Sequence, residues 1–266
     1  MTVTTLPLKP IDEDYTVKID QTLSQRDQIR DAVGRIAAQG LRNVFFVGAG
    51  GSLICSYPAF YLLQRESAVP VFQIQSDELN CSVPRLMGPG SLVVLASYTG
   101  TTKETVRAAT TAKLAGATVI AVAKDGSPLA AAVDEAFLGK SDLFELLVAY
   151  AVLEHTGSDL DFADVDQALT NLSAAVVNAV EASEDHLHRI ADKFKDEPFT
   201  YVLGSGASYA WAYGLAMCFL QEMQWKQAAG YNTGEFFQGA FEMVQDDTAV
   251  LLWLGDDQTR PMAERG

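Results

Sequence analysis

Short apolar runs, set apart by longer segments with helical spacing, define this chain. Asn43–Val47 reads NVFFV, Leu92–Ala96 reads LVVLA and Thr118–Ala123 reads TVIAVA. Runs this short and rich in branched side chains predict strands buried on both faces of a parallel sheet. Val69–Gln75 predicts a second strand and Asp134–Leu138 a fifth. Between them, Gln21–Gln39 carries Ile29, Val33 and Ile36 at helical spacing, and helices are also predicted from Ser52 to Leu63, Thr102 to Ala115 and Lys140 to His155. Strands alternating with helices through short glycine turns predict a doubly wound α/β fold with parallel sheets. Residues 1–20 are polar with two prolines and read as an extended arm, while Phe162–Lys195 has the pattern of a long helical connection.

The pattern then repeats. Val47-Gly-Ala-Gly-Gly-Ser52 recurs 156 residues later as Leu203-Gly-Ser-Gly-Ala-Ser208, and Tyr57 matches Tyr213. Leu92–Ala96 likewise aligns with Ala249–Trp253. Two tandem copies of one α/β domain are therefore expected. Their expected bounds are an arm and lead-in helix over 1–40, a first domain over 41–160, a helical linker over 161–195 and a second domain over 196–266. The second copy ends at Gly266, inside the helix due after its Ala249–Trp253 strand, so it is expected to be incomplete in this chain. The junction Phe137-Leu-Gly-Lys140 is short for a strand-to-helix connection and is expected to hide a similar omission.

Composition narrows the partners. With 34 acidic against 19 basic residues, the formal charge of −15 argues against nucleic acid and anionic membranes. An anion must then be held locally, by amides, hydroxyls or a few bases. The three cysteines have no metal-ligand spacing and the three histidines do not join them, so no metal site is expected. No apolar run has membrane length and no leader is evident, which with unpaired cysteines implies a cytoplasmic location.

The candidate chemistry starts where the third strand ends. Ser97-Tyr98-Thr99-Gly100-Thr101-Thr102 sets four hydroxyls of serine and threonine and a glycine between a strand and a helix start. Unpaired N–H groups and the positive end of the helix dipole favour an anion there, and Gly100 lets the backbone approach it. An N-capped polar loop would look the same taken alone. The turn Gly48-Ala-Gly-Gly-Ser52 adds Gly50 and Ser52 beside it. It is not a dinucleotide fingerprint, because Leu53 stands where the third glycine belongs. In the second copy the matching loop is Gly255-Asp256-Asp257-Gln258-Thr259, whose two carboxylates would repel a phosphate. Only the first copy is expected to hold the anion.

A glycine turn ending in serine, followed by an S-x-T-G-x-T loop at a strand end in tandem domains, resembles the sugar isomerase (SIS) phosphosugar-binding fold. Within that family Gly234-Glu-Phe-Phe-Gln-Gly-Ala-Phe-Glu-Met-Val244 is most similar to the E-F-x-H-G-x-F-E pattern of the fructosamine-6-phosphate deglycases. The resemblance implies an enzyme that moves a proton along an open-chain sugar, without metal or organic cofactor, as a homodimer or higher homo-oligomer. It implies phosphate binding by Gly50, Ser52, Ser97, Thr99, Gly100 and Thr102. It also implies Glu222 as the base, sixteen residues before the position of the family's histidine, where this chain has Gln238. Desolvation on the otherwise apolar helix Tyr209–Met223 would raise the Glu222 carboxyl and suit it to that task; the alternative is a helix-end glutamate that faces water. Glutamine can hold a hydroxyl but cannot pass a proton near neutral pH. Either another group, Glu235 being the nearest, supplies the acid, or the substrate opens unaided, or the protein is a non-catalytic phosphosugar-binding regulator.

Overall fold

The computed structural model describes residues 13–265. Among the described residues, eight strands form two all-parallel sheets. In the first, β1 (Asn43–Gly48), β2 (Val71–Gln75), β3 (Ser91–Ser97), β4 (Thr118–Ala123) and β5 (Glu135–Phe137) lie in the order β2-β1-β3-β4-β5. In the second, β6 (Phe199–Gly204), β7 (Gln227–Asn232) and β8 (Ala249–Leu252) lie in the order β7-β6-β8. The first three strands of each sheet thus share one arrangement.

Alternation along the strands builds two cores on the larger sheet. Val44, Phe46, Leu92 and Val94 face one way, against helices Arg26–Ala38, Tyr57–Glu66 and Ser141–Thr156. Phe45, Val47, Val93 and Leu95 face the other, onto Ala108, Ala109 and Ala112 of helix Lys103–Leu114. β1 and β3 are buried along their whole length, which their unbroken apolar runs required. Each fully buried Phe or Leu there contributes roughly 1.5–3 kcal/mol.

Three sequence expectations change. The extended arm proposed for residues 1–20 falls partly on residues 1–12, outside the described residues; from Glu13 to Leu23 the chain is helical. Tyr15, Ile19 and Leu23 recur every fourth residue and pack into the first core, so a helical signal was present. The long connection is two helices, Phe162–Thr170 and Leu172–Phe194, and the second buries no residue within this chain. The helix beginning at Tyr209 is α-helical only to Gly214 and continues as a π-helix over Leu215–Met223.

The short β5-to-helix junction closes in three residues. Gly139 takes a left-handed φ of +113°, and a side chain there would strike Thr22. Gln25 bonds both the N–H and the carbonyl of Leu138, at 3.0 and 2.9 Å, while Thr22 accepts from the Lys140 N–H at 2.8 Å. The geometric objection to so short a link therefore fails.

Candidate active site

The strand order reverses between β1 and β3: from β1 the chain crosses outward to β2 and then returns to the other side. In open parallel sheets, ligands bind at such a switch, outside the carboxyl ends of the strands. The Gly48–Ser52 turn follows β1 and the Ser97–Thr102 loop follows β3, so both candidate segments sit at that edge.

The loop is already organised. Ser97 Oγ lies 3.1 Å from Thr102 Oγ1, and Thr99 Oγ1 lies 2.7 Å from Thr101 Oγ1. Thr102 occupies the N-cap of helix Lys103–Leu114 without capping it through its side chain, which leaves the hydroxyl to serve elsewhere. Gly100 has a φ of +67°, and a Cβ there would stand 2.0 Å from Ser127 Oγ. Its glycine is needed for the close approach of the loop after β4 as well as for any ligand. Gly50 is left-handed too, at +55°, but a Cβ on it would meet nothing within 4 Å.

A cleft of about 950 Å³ opens over the carboxyl ends of β3, β4 and β5. Ser97, Thr99 and Thr101 line one side, and Lys124 and Ser127 another. Lys18, from the helix Glu13–Leu23, closes the third; its ammonium donates to Tyr98 Oη at 3.1 Å and pairs with Asp14. Thr101 belongs to the hydroxyl loop marked in the sequence, whereas Lys18, Lys124 and Ser127 escaped that reading. Ser127-Pro128 after the Asp125-Gly126 turn is a helix-start signature that could have marked Ser127. Lys18 joins only through the fold.

The second glycine turn is filled from within. Gly206 repeats the φ of +55°, but here a Cβ would lie 2.0 Å from Asp257 Oδ2. That carboxylate accepts from the Ala207 N–H at 3.3 Å and from the Thr259 N–H at 2.8 Å, and Thr259 Oγ1 turns to Ser205 Oγ at 3.1 Å. Partial burial alone would push the Asp257 carboxyl up; the Thr259 hydroxyl, both N–H groups and the charge of Arg65 together hold it below the ordinary range.

Of the catalytic candidates, Glu222, Glu235 and Gln238 are all exposed; the Gln238 N–H donates to the Glu235 carbonyl at 3.0 Å within one turn, but no side-chain hydrogen bond or ion pair joins the three among the described residues. The desolvation expected for Glu222 is absent from this chain: the helix it sits on turns that face to solvent. The helix nevertheless passes over the first glycine turn, since a Cβ on Gly51 would lie 3.9 Å from Cys218 Sγ, one turn before Glu222. The Cys218 thiol is pushed up by burial and by the Glu222 charge. Behind the turn, Cys55 is pushed up to about 12 by burial and by the charges of Asp142 and Glu145. Glu145 itself is buried, Oε2 has no partner, and burial together with Asp142 holds its carboxyl well above the usual range. Among the described residues no cluster of His, Cys, Asp or Glu could hold a metal ion, and no helix is long and apolar enough to cross a membrane.

A doubly wound sheet with a hydroxyl loop and a serine-ended glycine turn at its switch point is the arrangement expected from the resemblance to phosphosugar-binding proteins. Residues 40–142 match the SIS domain. The chain is 33% identical to fructosamine deglycase FrlB of Bacillus subtilis (strain 168) over 235 residues, covering 84% of this chain and 72% of that protein. It is 23% identical to fructoselysine 6-phosphate deglycase of Escherichia coli (strain K12), over 96% of this chain and 78% of that one. A Bacillus subtilis structure described as a phosphosugar isomerase superposes with a TM-score of 0.81 at 30% identity, covering 95% of this chain and 79% of the other. The protein belongs to the SIS domain family, and its relatives are sugar-phosphate isomerases and deglycases.

Proposed function

We propose that the protein is a deglycase that splits a fructosamine 6-phosphate, a 6-phosphofructosyl-amine, into glucose 6-phosphate and an amine or amino acid. The hydroxyl loop at the β1/β3 switch point carries this reading, because it offers an open anion site that its counterpart in the second sheet does not. Ser52, Ser97, Thr99 and Thr102 would bind the phosphate, with backbone approach at Gly50 and Gly100. Glu222 would take a proton from C1 of the open-chain sugar and return it at C2, leaving a C1 imine that water hydrolyses to the aldehyde and the free amine. Gln238 would orient hydroxyls and Glu235 would supply the acid.

Domain roles follow from this assignment. The segment 41–160 anchors phosphate, 161–195 links, and 196–266 brings the catalytic groups. Exposed Glu222 and Gln238 suit a site completed by a second copy in a cytoplasmic homo-oligomer.

The exposure of those same groups also favours a second reading, a phosphosugar-binding regulator without turnover. Glucose 6-phosphate release from a panel of 6-phosphofructosyl amino acids separates the two. Release that Glu222→Gln abolishes while ligand binding persists supports the deglycase. Silence of the native protein with activity gained by Gln238→His supports the regulator.

A further inference from the structure

A second, smaller pocket of about 280 Å³ lies between the first glycine turn and helix Tyr209–Gly214. Gly50 forms its rim, and Tyr57, Tyr209 and Tyr213 form its aromatic wall. The rings of Tyr57 and Tyr209 meet edge to face at 5.4 Å, and Tyr209 stacks on Tyr213 at 6.3 Å. Gln73 and Gln75, two apart on β2 and so on one face of the sheet, supply the polar groups. Each is half used. Gln73 spends its amide N–H groups on the Leu53 carbonyl and Ser56 Oγ, both at 2.8 Å, leaving its carbonyl. Gln75 spends its carbonyl on the N–H groups of Asp77 and Glu78, leaving its amide nitrogen. No charged side chain lines the pocket.

Its position ties it to the reaction. Gly50 belongs to the glycine turn assigned to the phosphate, and Met217, which also lines the pocket, belongs to the helix that carries Glu222. A substrate whose C1 faces Glu222 carries its amine substituent on the side of that helix. This pocket adjoins both the turn and that helix.

We infer that the pocket seats the amine half of the substrate and selects an uncharged aromatic or alkyl substituent over an acidic one. The inference rests on the phosphosugar reading above. A cavity of about 150 Å³ accommodates a benzene ring, so a benzyl-sized group fits here with its polar edge between the two glutamines. An acidic substituent would leave water with no cation to meet it, and a buried unpaired charge is strongly unfavourable.

Titration calorimetry on the full chain tests this with fructose 6-phosphate, 6-phosphofructosyl-benzylamine and 6-phosphofructosyl-glutamate. The benzyl ligand is expected to bind roughly tenfold or more tighter than fructose 6-phosphate, as ring burial implies, and the glutamate ligand no tighter. Tyr213→Ala should erase the benzyl gain while keeping fructose 6-phosphate affinity. Tyr213→Lys, which adds the missing cation, should raise the glutamate ligand above the benzyl one. A native preference for the glutamate ligand, or a benzyl gain that survives Tyr213→Ala, overturns the inference. Absence of fructose 6-phosphate binding in the native protein overturns the phosphosugar reading itself and the inference with it.

Discussion

The two glycine turns start alike and end differently. Gly50 and Gly206 share a φ of +55°, and each follows the middle strand of three parallel ones. Over Gly50 the space is open, while the hydroxyl loop Ser97–Thr102 follows the neighbouring strand β3; over Gly206 the Asp257 carboxylate takes the N–H groups of Ala207 and Thr259. The same backbone thus offers an anion site twice. One is satisfied by the protein's own carboxylate; the other is the one to which the proposed function assigns the phosphate. The two carboxylates of the 255–259 loop read in the sequence as a repulsion; Asp257 is in fact a bound internal anion.

The strongest way to break the contrast is to give the first site an internal anion as well. Thr99→Glu should weaken fructose 6-phosphate binding roughly 100-fold or more, since like charges at close range cost several kcal/mol; titration calorimetry reads the change. Next in size is removal of the second site's anion. Asp257→Ala leaves the Ala207 and Thr259 donors without their acceptor and should cost about 1–3 kcal/mol in urea unfolding. Because the folded Asp257 carboxyl is depressed, its stabilising contribution is complete above the ordinary carboxylate value of 3.8 and fades as pH falls toward the folded value. An acid-unfolding profile that the variant leaves unshifted would contradict this.

Glu145 gives a smaller effect of opposite sign. Its raised carboxyl keeps a proton that the unfolded chain releases, so stability falls as pH rises from the ordinary 4.5 through the folded value. Glu145→Gln should flatten that decline and raise stability at pH 8 by about 1 kcal/mol, the scale of one buried polar group satisfied; thermal melts between pH 4 and 8 check it. Smallest is Lys18→Gln. It should weaken phosphosugar affinity by only about two- to fivefold, as exposed charge contacts do, with no change in melting temperature.

Much of the first sheet was legible because its strands are buried on both faces, so apolar runs alone mark them. β7 was not: Gln227-Ala-Ala-Gly-Tyr-Asn232 has no branched run, because helix Tyr209–Gly214 packs close enough that a Cβ on Gly230 would stand 2.7 Å from Tyr213 Cα. Small residues there are the signature of close packing, and they look like a loop. The hydroxyl loop was readable since its residues are contiguous. Lys18 and Lys124 were not, being 106 positions apart in the chain and joined only by the cleft. Glu222 shows the limit of arguing environment from neighbours in sequence: an apolar helix does not bury every residue on it.

The most direct test counts sites. Fructose 6-phosphate titrated into the native protein and into Ser97→Ala/Thr99→Ala should show one site per chain in the native protein, weakened roughly tenfold or more by loss of two hydroxyl contacts. Two equivalent sites per chain, or an affinity that the double substitution leaves intact, would contradict the assignment of the ligand to the first glycine turn and its hydroxyl loop.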